Sequence, residues 1–236
     1  MSKSKKDMSQ TKENNLVVVI VIALVLCICA GVFIWAAGPK DTYTTTTGDG
    51  TTSTISATDS SAQQSTTLDT SVAYYADIDI KDYGKITVKL DPLSAPITCE
   101  NFIKLANNKF YNGLTFHRII EDFMMQGGDP LGNGTGGSDQ KIVGEFASNG
   151  HNNKLSHTRG AISMARSSHP DSASSQFFIV HKDSPHLDGD YAVFGYVTEG
   201  MDIVDRVCTD AEPIDGNGTI PASKQPIINS VTIRTE

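Results

Sequence analysis

The chain has 236 residues, a formal charge of −8, and 39% hydrophobic, 19% charged and 7% aromatic side chains. Residues 1–37 carry +2, residues 38–70 carry −3, and residues 71–236 carry −7. An acidic main block without a clustered Lys/Arg footprint excludes nucleic acid as the principal partner, and 166 residues suit one domain with a sizeable core.

Residues 16–37 read LVVVIVIALVLCICAGVFIWAA, 22 positions without a charge. At ~1.5 Å per residue such a helix spans a ~30 Å hydrocarbon core. The run is longer than the ~7–15 apolar residues of a cleaved secretory signal. Its one small-residue site is followed by Pro39, and neither Cys27 nor Cys29 follows a small residue, as a lipoprotein signal would need. The expectation is an uncleaved transmembrane signal anchor. Four Lys precede it and only Lys40 closely follows, so residues 1–15 form a cytoplasmic basic tail and the remainder lies outside a cell membrane crossed once. Residues 38–70 hold 17 Ser/Thr and almost no large apolar side chain, which predicts a disordered tether with an end-to-end distance of roughly 30 Å.

In residues 71–236, short apolar and β-branched runs recur at 74–80, 85–90, 115–119, 123–126, 161–165, 177–180, 192–197 and 227–233, the pattern of strands in an all-β domain. Asp82-Tyr83-Gly84 is a hairpin signal. Two stretches have helical spacing: Cys99, Phe102, Ile103 and Ala106 behind Pro96, and Met201, Val204 and Val207. Strands with two helices predict a barrel with its open ends covered. Cys99 and Cys208 are left unbridged, since isolated Cys is more often a small core residue.

Several motifs lead nowhere. Gly132, Gly134 and Gly137 fit G-x-G-x-x-G, but no long strand feeds them and no helix follows, so a surface loop is expected. The six His show no H-E-x-x-H and there is no C-x-x-C, so no metal site and no cofactor are expected. His151 and His157 lie in a polar stretch and are expected to be exposed. No G-x-S-x-G elbow supports a Ser/His/Asp hydrolase. Asn133-Gly134-Thr135 and Asn217-Gly218-Thr219 match the glycosylation sequon.

The chemistry concentrates in FHRIIEDFMMQGGD at 116–129. With side chains two apart sharing a strand face, Arg118 is expected to point with Phe116 and Ile120. Phe123, Met124 and Gln126 follow closely, and Gly127-Gly128 permits close approach of backbone or ligand. A guanidinium beside an apolar patch with an amide nearby suits a group that is part hydrophobic and part carbonyl.

These residues, with GNGTGG at 132–137, GAISMAR at 160–166, SSQFFIV at 174–180 and LDGDYAVFGYVTEGMDIVD at 187–205, resemble the cyclophilin-type peptidyl-prolyl isomerases across essentially all of 71–236. The resemblance implies an eight-stranded antiparallel β-barrel capped by two α-helices. It implies catalytic roles for Arg118, Phe123 and Gln126, and substrate binding by Met124, Ala165, Arg166, Phe178, Leu187, His186 and Tyr191. Phe123, Met124, Phe178 and Leu187 match the pocket for the proline ring, and Ala165-Arg166 the segment that pairs with substrate backbone. Three positions depart: Tyr191 stands where His is frequent, Arg166 where Asn is common, and His186 where Trp is frequent. The last removes the ring that tight cyclosporin binding is expected to use.

The implied function is acceleration of X-Pro rotation in proline-containing segments of exported proteins, by a monomer held at the membrane through residues 16–37. A tethered Pro-peptide-binding or holdase module is the alternative.

Overall fold

The computed structural model describes residues 68–236. The expected tail, the span and nearly all of the tether lie outside the described residues, among which no helix is long and apolar enough to cross a membrane. Tyr74–Ile80 (β1) and Gly84–Leu90 (β2) form a hairpin. Its turn closes through the Tyr83 N–H on the Ile80 carbonyl, with Asp82 and Gly84 at φ of 66° and 114°. The helix Pro96–Asn107 (α1) follows, then Thr115–Ile120 (β3), Met124–Asp129 (β4), Ala161–Met164 (β5), Phe177–Val180 (β6), Val193–Glu199 (β7), the helix Met201–Asp210 (α2) and Ile228–Thr235 (β8).

All the strands pair antiparallel in one sheet, ordered β3-β4-β6-β5-β7-β2-β1-β8. The expected closed barrel is a curled sheet. No continuous ladder joins β3 to β8; isolated bridges Thr115↔Ile227 and Arg118↔Thr219, with the Phe116 N–H on the Pro226 carbonyl, tie β3 to the segment that leads into β8. Proline at 226 contributes no N–H of its own, which suits a seam and not a ladder. At the end of the β1–β8 ladder Ala73 and Glu236 exchange both backbone hydrogen bonds at 3.0 Å.

The sheet is two-faced because strand side chains alternate. Met125, Ile162, Met164, Phe177, Ile179 and Phe194 point inward and join Cys99, Phe102 and Ala106 of α1 and Val204 and Val207 of α2 in one core. Phe102 is its centre, with ring centroids 5.1 Å from Tyr111, 5.6 Å from Phe177 and 5.2 Å from Phe194. Met124, Ala161, Phe178, Val180 and Val193, the alternate residues, form a second cluster on the outer face.

β3 breaks the alternation. Phe116 pairs with Gly127 and Arg118 with Gln126, so His117 is one residue too many on its strand, a bulge. Phe116 and Ile119 therefore both enter the core, whereas Ile120 packs in the outer cluster. The expectation that Arg118 shares a face with Phe116 is corrected by this bulge. The paired glycines of β4 serve backbone and not ligand approach: a Cβ on Gly127 would meet the Thr115 carbonyl at 2.8 Å, and one on Gly128, at φ 81°, the Ser175 carbonyl at 2.6 Å.

The α1 N-terminus has no capping side chain at Ala95. The buried Glu145 reaches it from 48 residues away, accepting the Ile97 N–H at 3.0 Å, the Thr98 N–H at 2.7 Å and the Thr98 hydroxyl at 2.7 Å. These are helix-terminal donors with no other partner available, and the carboxylate also suits the positive end of the helix. Glu145→Ala is expected to lower stability by about 3 kcal/mol and Glu145→Gln by clearly less. Coincident urea midpoints for wild type and both variants would remove this capping role.

Candidate active site

Outward-facing residues of β3, β4 and β6 meet the loops 165–166 and 187–191 around a pocket of about 170 Å³. Arg118, Phe123, Met124, Gln126, Ala165, Arg166, Phe178, Leu187 and Tyr191 line it. All but one of the expected site residues thus converge. His186 does not line the pocket but lies on its rim, its ring centroid 5.6 Å from that of Phe123. Phe123, expected to open a strand, sits instead in the β3–β4 turn, where its N–H reaches the Ile120 carbonyl and Asp122 takes φ 62°.

Arg118 and Gln126 are direct cross-strand partners, which places their side chains together. The guanidinium donates from Nε to the Asn217 carbonyl at 2.8 Å, and from Nη1 to Gln126 Oε1 at 3.4 Å and Met124 Sδ at 3.7 Å. It lies 5.9 Å from the centre of the Phe123 ring. Burial pulls its pKa below the ordinary arginine value, opposed by Tyr191 and Asp215, yet an arginine remains charged at neutral pH. Gln126 is oriented in turn: its Nε2 donates to Gln176 Oε1 at 2.8 Å, and Gln176 Nε2 donates to the Gly136 carbonyl at 2.7 Å.

The loop that supplies that carbonyl is itself anchored. The buried Asp129 accepts N–H groups of Leu131, Asn133 and Gly134 at 2.8, 3.1 and 2.6 Å. Burial pushes this carboxyl up, but the backbone donors hold it below the usual aspartate value. The glycines at 132–137 do form a loop, and its polar contacts serve β4 and Gln176.

His157 is buried, contrary to the expected exposure. Loop 151–160 folds over the outer cluster, and the ring stacks on Phe178 at 5.9 Å and meets Tyr191 edge-on. Nδ1 is 2.8 Å from Asp188 and Nε2 3.0 Å from Ser163 Oγ. This Ser–His–Asp series has the spacing of a hydrolytic triad, but Ser163 is fully buried, so its hydroxyl meets no substrate. The series locks the wall of the pocket. Behind Phe123, His181 accepts the Asp122 N–H on Nδ1 at 2.9 Å and contacts Asp205 through Nε2 at 3.1 Å, fixing the turn. Sequence reasoning missed Gln176, Asn217, His157, Asp188 and His181. Gln176 and Asp188 stood inside the quoted motifs, and Asn217 inside a sequon; nothing local signalled His157 or His181.

A family model described as cyclophilin type peptidyl-prolyl cis-trans isomerase/CLD matches residues 75–233. Peptidyl-prolyl cis-trans isomerase B of Bacillus subtilis is 50% identical over 123 residues, 52% of this chain and 82% of that protein. A peptidyl-prolyl cis-trans isomerase of Helicobacter pylori (strain J99) is 45% identical over 126 residues, 52% of this chain and 75% of that protein. A Cryptosporidium parvum cyclophilin type peptidyl-prolyl cis-trans isomerase, crystallised in the presence of the dipeptide Ala-Pro, aligns with a TM-score of 0.59 at 29% identity, covering 69% of this chain and 99% of that one. The chain belongs to the cyclophilin-type peptidyl-prolyl cis-trans isomerase family.

Two buried histidines give the domain a pH signature. Burial lowers the pKa of His117, with Asp129 opposing, and that of His157, with Asp188 opposing, in each case from 6.5. Each ring thus holds a proton less readily in the folded than in the unfolded chain, so unfolding below about pH 6.5 is accompanied by proton uptake. Their contribution to stability is therefore level above that pH and falls below it until the folded pKa of each is reached, by at most about 1.4 kcal/mol per pH unit for each ring. Urea midpoints at several pH values check this, and His157→Gln is expected to flatten the acid limb. An acid limb of equal slope in wild type and variant would discard the assignment of His157.

Proposed function

We propose that the chain is a peptidyl-prolyl cis-trans isomerase in which Arg118 stabilises the twisted X-Pro amide and the outer-face pocket holds the proline ring. The observation that carries the mechanism is the arginine's set of partners. Asn217, Gln126 and Met124 are all neutral acceptors, and among the described residues nothing accepts from Nη2. A fixed, charged donor with unspent N–H groups faces a small apolar pocket.

Rotation about X-Pro breaks no bond but loses amide resonance across a ~18–20 kcal/mol barrier. As the amide twists, the proline nitrogen becomes pyramidal and its lone pair accepts a hydrogen bond that the planar amide cannot. A guanidinium placed there binds the twisted state better than the planar one, which lowers the barrier. Phe123, Met124, Phe178 and Leu187 grip the ring, Tyr191 closes one side, and backbone at 165–166 holds the preceding residue, so only one end of the amide turns. Gln126 keeps Arg118 aimed and is itself kept aimed by Gln176.

Exchange spectroscopy on an Ala-Pro peptide tests this. Wild type is expected to accelerate cis-trans exchange, and Arg118→Ala to lose about a hundredfold or more in kcat/KM with its urea midpoint nearly unchanged. Full activity in Arg118→Ala would rule out the mechanism; peptide binding without any acceleration would favour a holdase.

The same proposal places the catalytic domain, as a monomer, outside a cell membrane on the anchor at 16–37 and the tether at 38–70, where it meets exported chains whose folding waits on X-Pro bonds. The uncharged 22-residue run and the lysines before it support this placement. Fractionation and N-terminal sequencing are expected to find the intact chain in membranes. A soluble product starting near Pro39 would defeat this placement and leave the enzyme reading standing.

A further inference from the structure

Past Ala165 and Arg166 the proline pocket opens into a second cavity of about 360 Å³, which also shares Gln126. Its lining is glycine, serine and threonine with two amides, and its only ionisable side chains are Lys141 and Arg166. In a block of residues with a net charge of −7, this is a local reversal of sign.

Arg166 is held rigidly. Its guanidinium lies between two rings, 5.0 Å from the centre of Phe146 and 4.7 Å from that of Tyr191. Nε donates to the Asp190 carbonyl at 2.9 Å and Nη1 to the Ser167 carbonyl at 3.0 Å. Each acceptor is a neutral backbone oxygen, and among the described residues no carboxylate pairs with Arg166 or with Lys141 and nothing accepts from Arg166 Nη2. Two uncompensated cations, one of them preorganised by stacking, therefore face the same hydroxyl-lined space. A flexible cation with a carboxylate already on it would offer a ligand little; this arrangement leaves both charges for an incoming anion.

The position of that anion follows from the pocket order. With the proline ring seated beneath Phe123 and Phe178, the preceding residue lies along 165–166. The next residue upstream, ~3.8 Å further on and alternating in direction, is the first with a side chain free to enter the second cavity. We infer that this cavity selects an anionic side chain, Asp, Glu or a phosphorylated Ser, two residues before the proline, through Arg166 and Lys141. The inference rests on the isomerase reading and adds a substrate class to it.

The test uses the full-length chain and three peptides, Ala-Glu-Ala-Pro-Phe, Ala-Gln-Ala-Pro-Phe and Ala-Lys-Ala-Pro-Phe, compared by exchange rate at low salt. The expected order of kcat/KM is Glu, Gln, Lys, with Glu over Gln by about fivefold, and the advantage shrinking towards unity as salt rises to about 1 M. The Glu-to-Gln ratio, taken within each protein so that overall activity cancels, falls in Arg166→Gln and in Lys141→Gln and approaches one when both are changed. Moving Glu to the far side of the proline abolishes the preference. Equal catalysis of the Glu and Gln peptides by wild type overturns the inference alone, as does a ratio unaltered by the double substitution. No acceleration of any of the three overturns the isomerase reading and the inference with it.

Discussion

The bulge at His117 places Arg118 on the outer face while its neighbours Phe116 and Ile119 both enter the core, because one unpaired residue on β3 resets the alternation of side chains. Without it, a strand that buries Phe116 would bury Arg118's companion positions differently and carry the guanidinium away from Gln126. The site needs Arg118 opposite Gln126, Met124 next to both, and Phe178 across from Gln126 on β6, and each of these is a register relation. Arg118, Met124, Gln126 and Phe178 are thus set by strand pairing, and Phe123 of the β3–β4 turn with the loops 165–166 and 187–191 completes the pocket.

Electrostatics at the site depend on what is left out. Arg118 is desolvated, and among the described residues no carboxylate is in contact with it, an arrangement that costs stability and leaves the charge of the cation uncompensated. Neutral groups take the orienting work: a carbonyl, a thioether and an amide, the last held by Gln176 and the 131–137 loop that Asp129 anchors. The acidic side chains near the site act one step back, Asp129 on backbone N–H groups and Asp188 on His157. An aspartate touching Arg118 would occupy the N–H groups that the proposed mechanism leaves for the twisted amide.

Much of this was legible in the sequence where the determining contacts are local. The eight strands fall within a few residues of the apolar runs, and the two helices where Phe102 and Val204 repeat at helical spacing. Arg118, Phe123, Met124 and Gln126 were readable because one hairpin carries them all. What escaped was set by long-range contacts: the burial of His157 under Phe178, the carbonyl of Asn217 on Arg118, 99 residues away, and Glu145 capping α1. The bulge escaped for another reason, since a period-two pattern holds no sign of where one residue is to be skipped until the partner strand fixes it. Phe146 and Tyr191, which sandwich Arg166, are likewise 45 positions apart and have nothing in common locally.

The paired ends at Ala73 and Glu236 carry a mechanical meaning. The first and last strands of the folded unit lie side by side, and the pairing of Ala73 with Glu236 extends their ladder by one more residue pair. A pull delivered through residue 73 is resisted first by the ladders that β1 makes with β8 and β2, strand against strand. A force applied at residue 73 therefore loads these first ladders before it reaches the strands that carry Arg118 and Gln126.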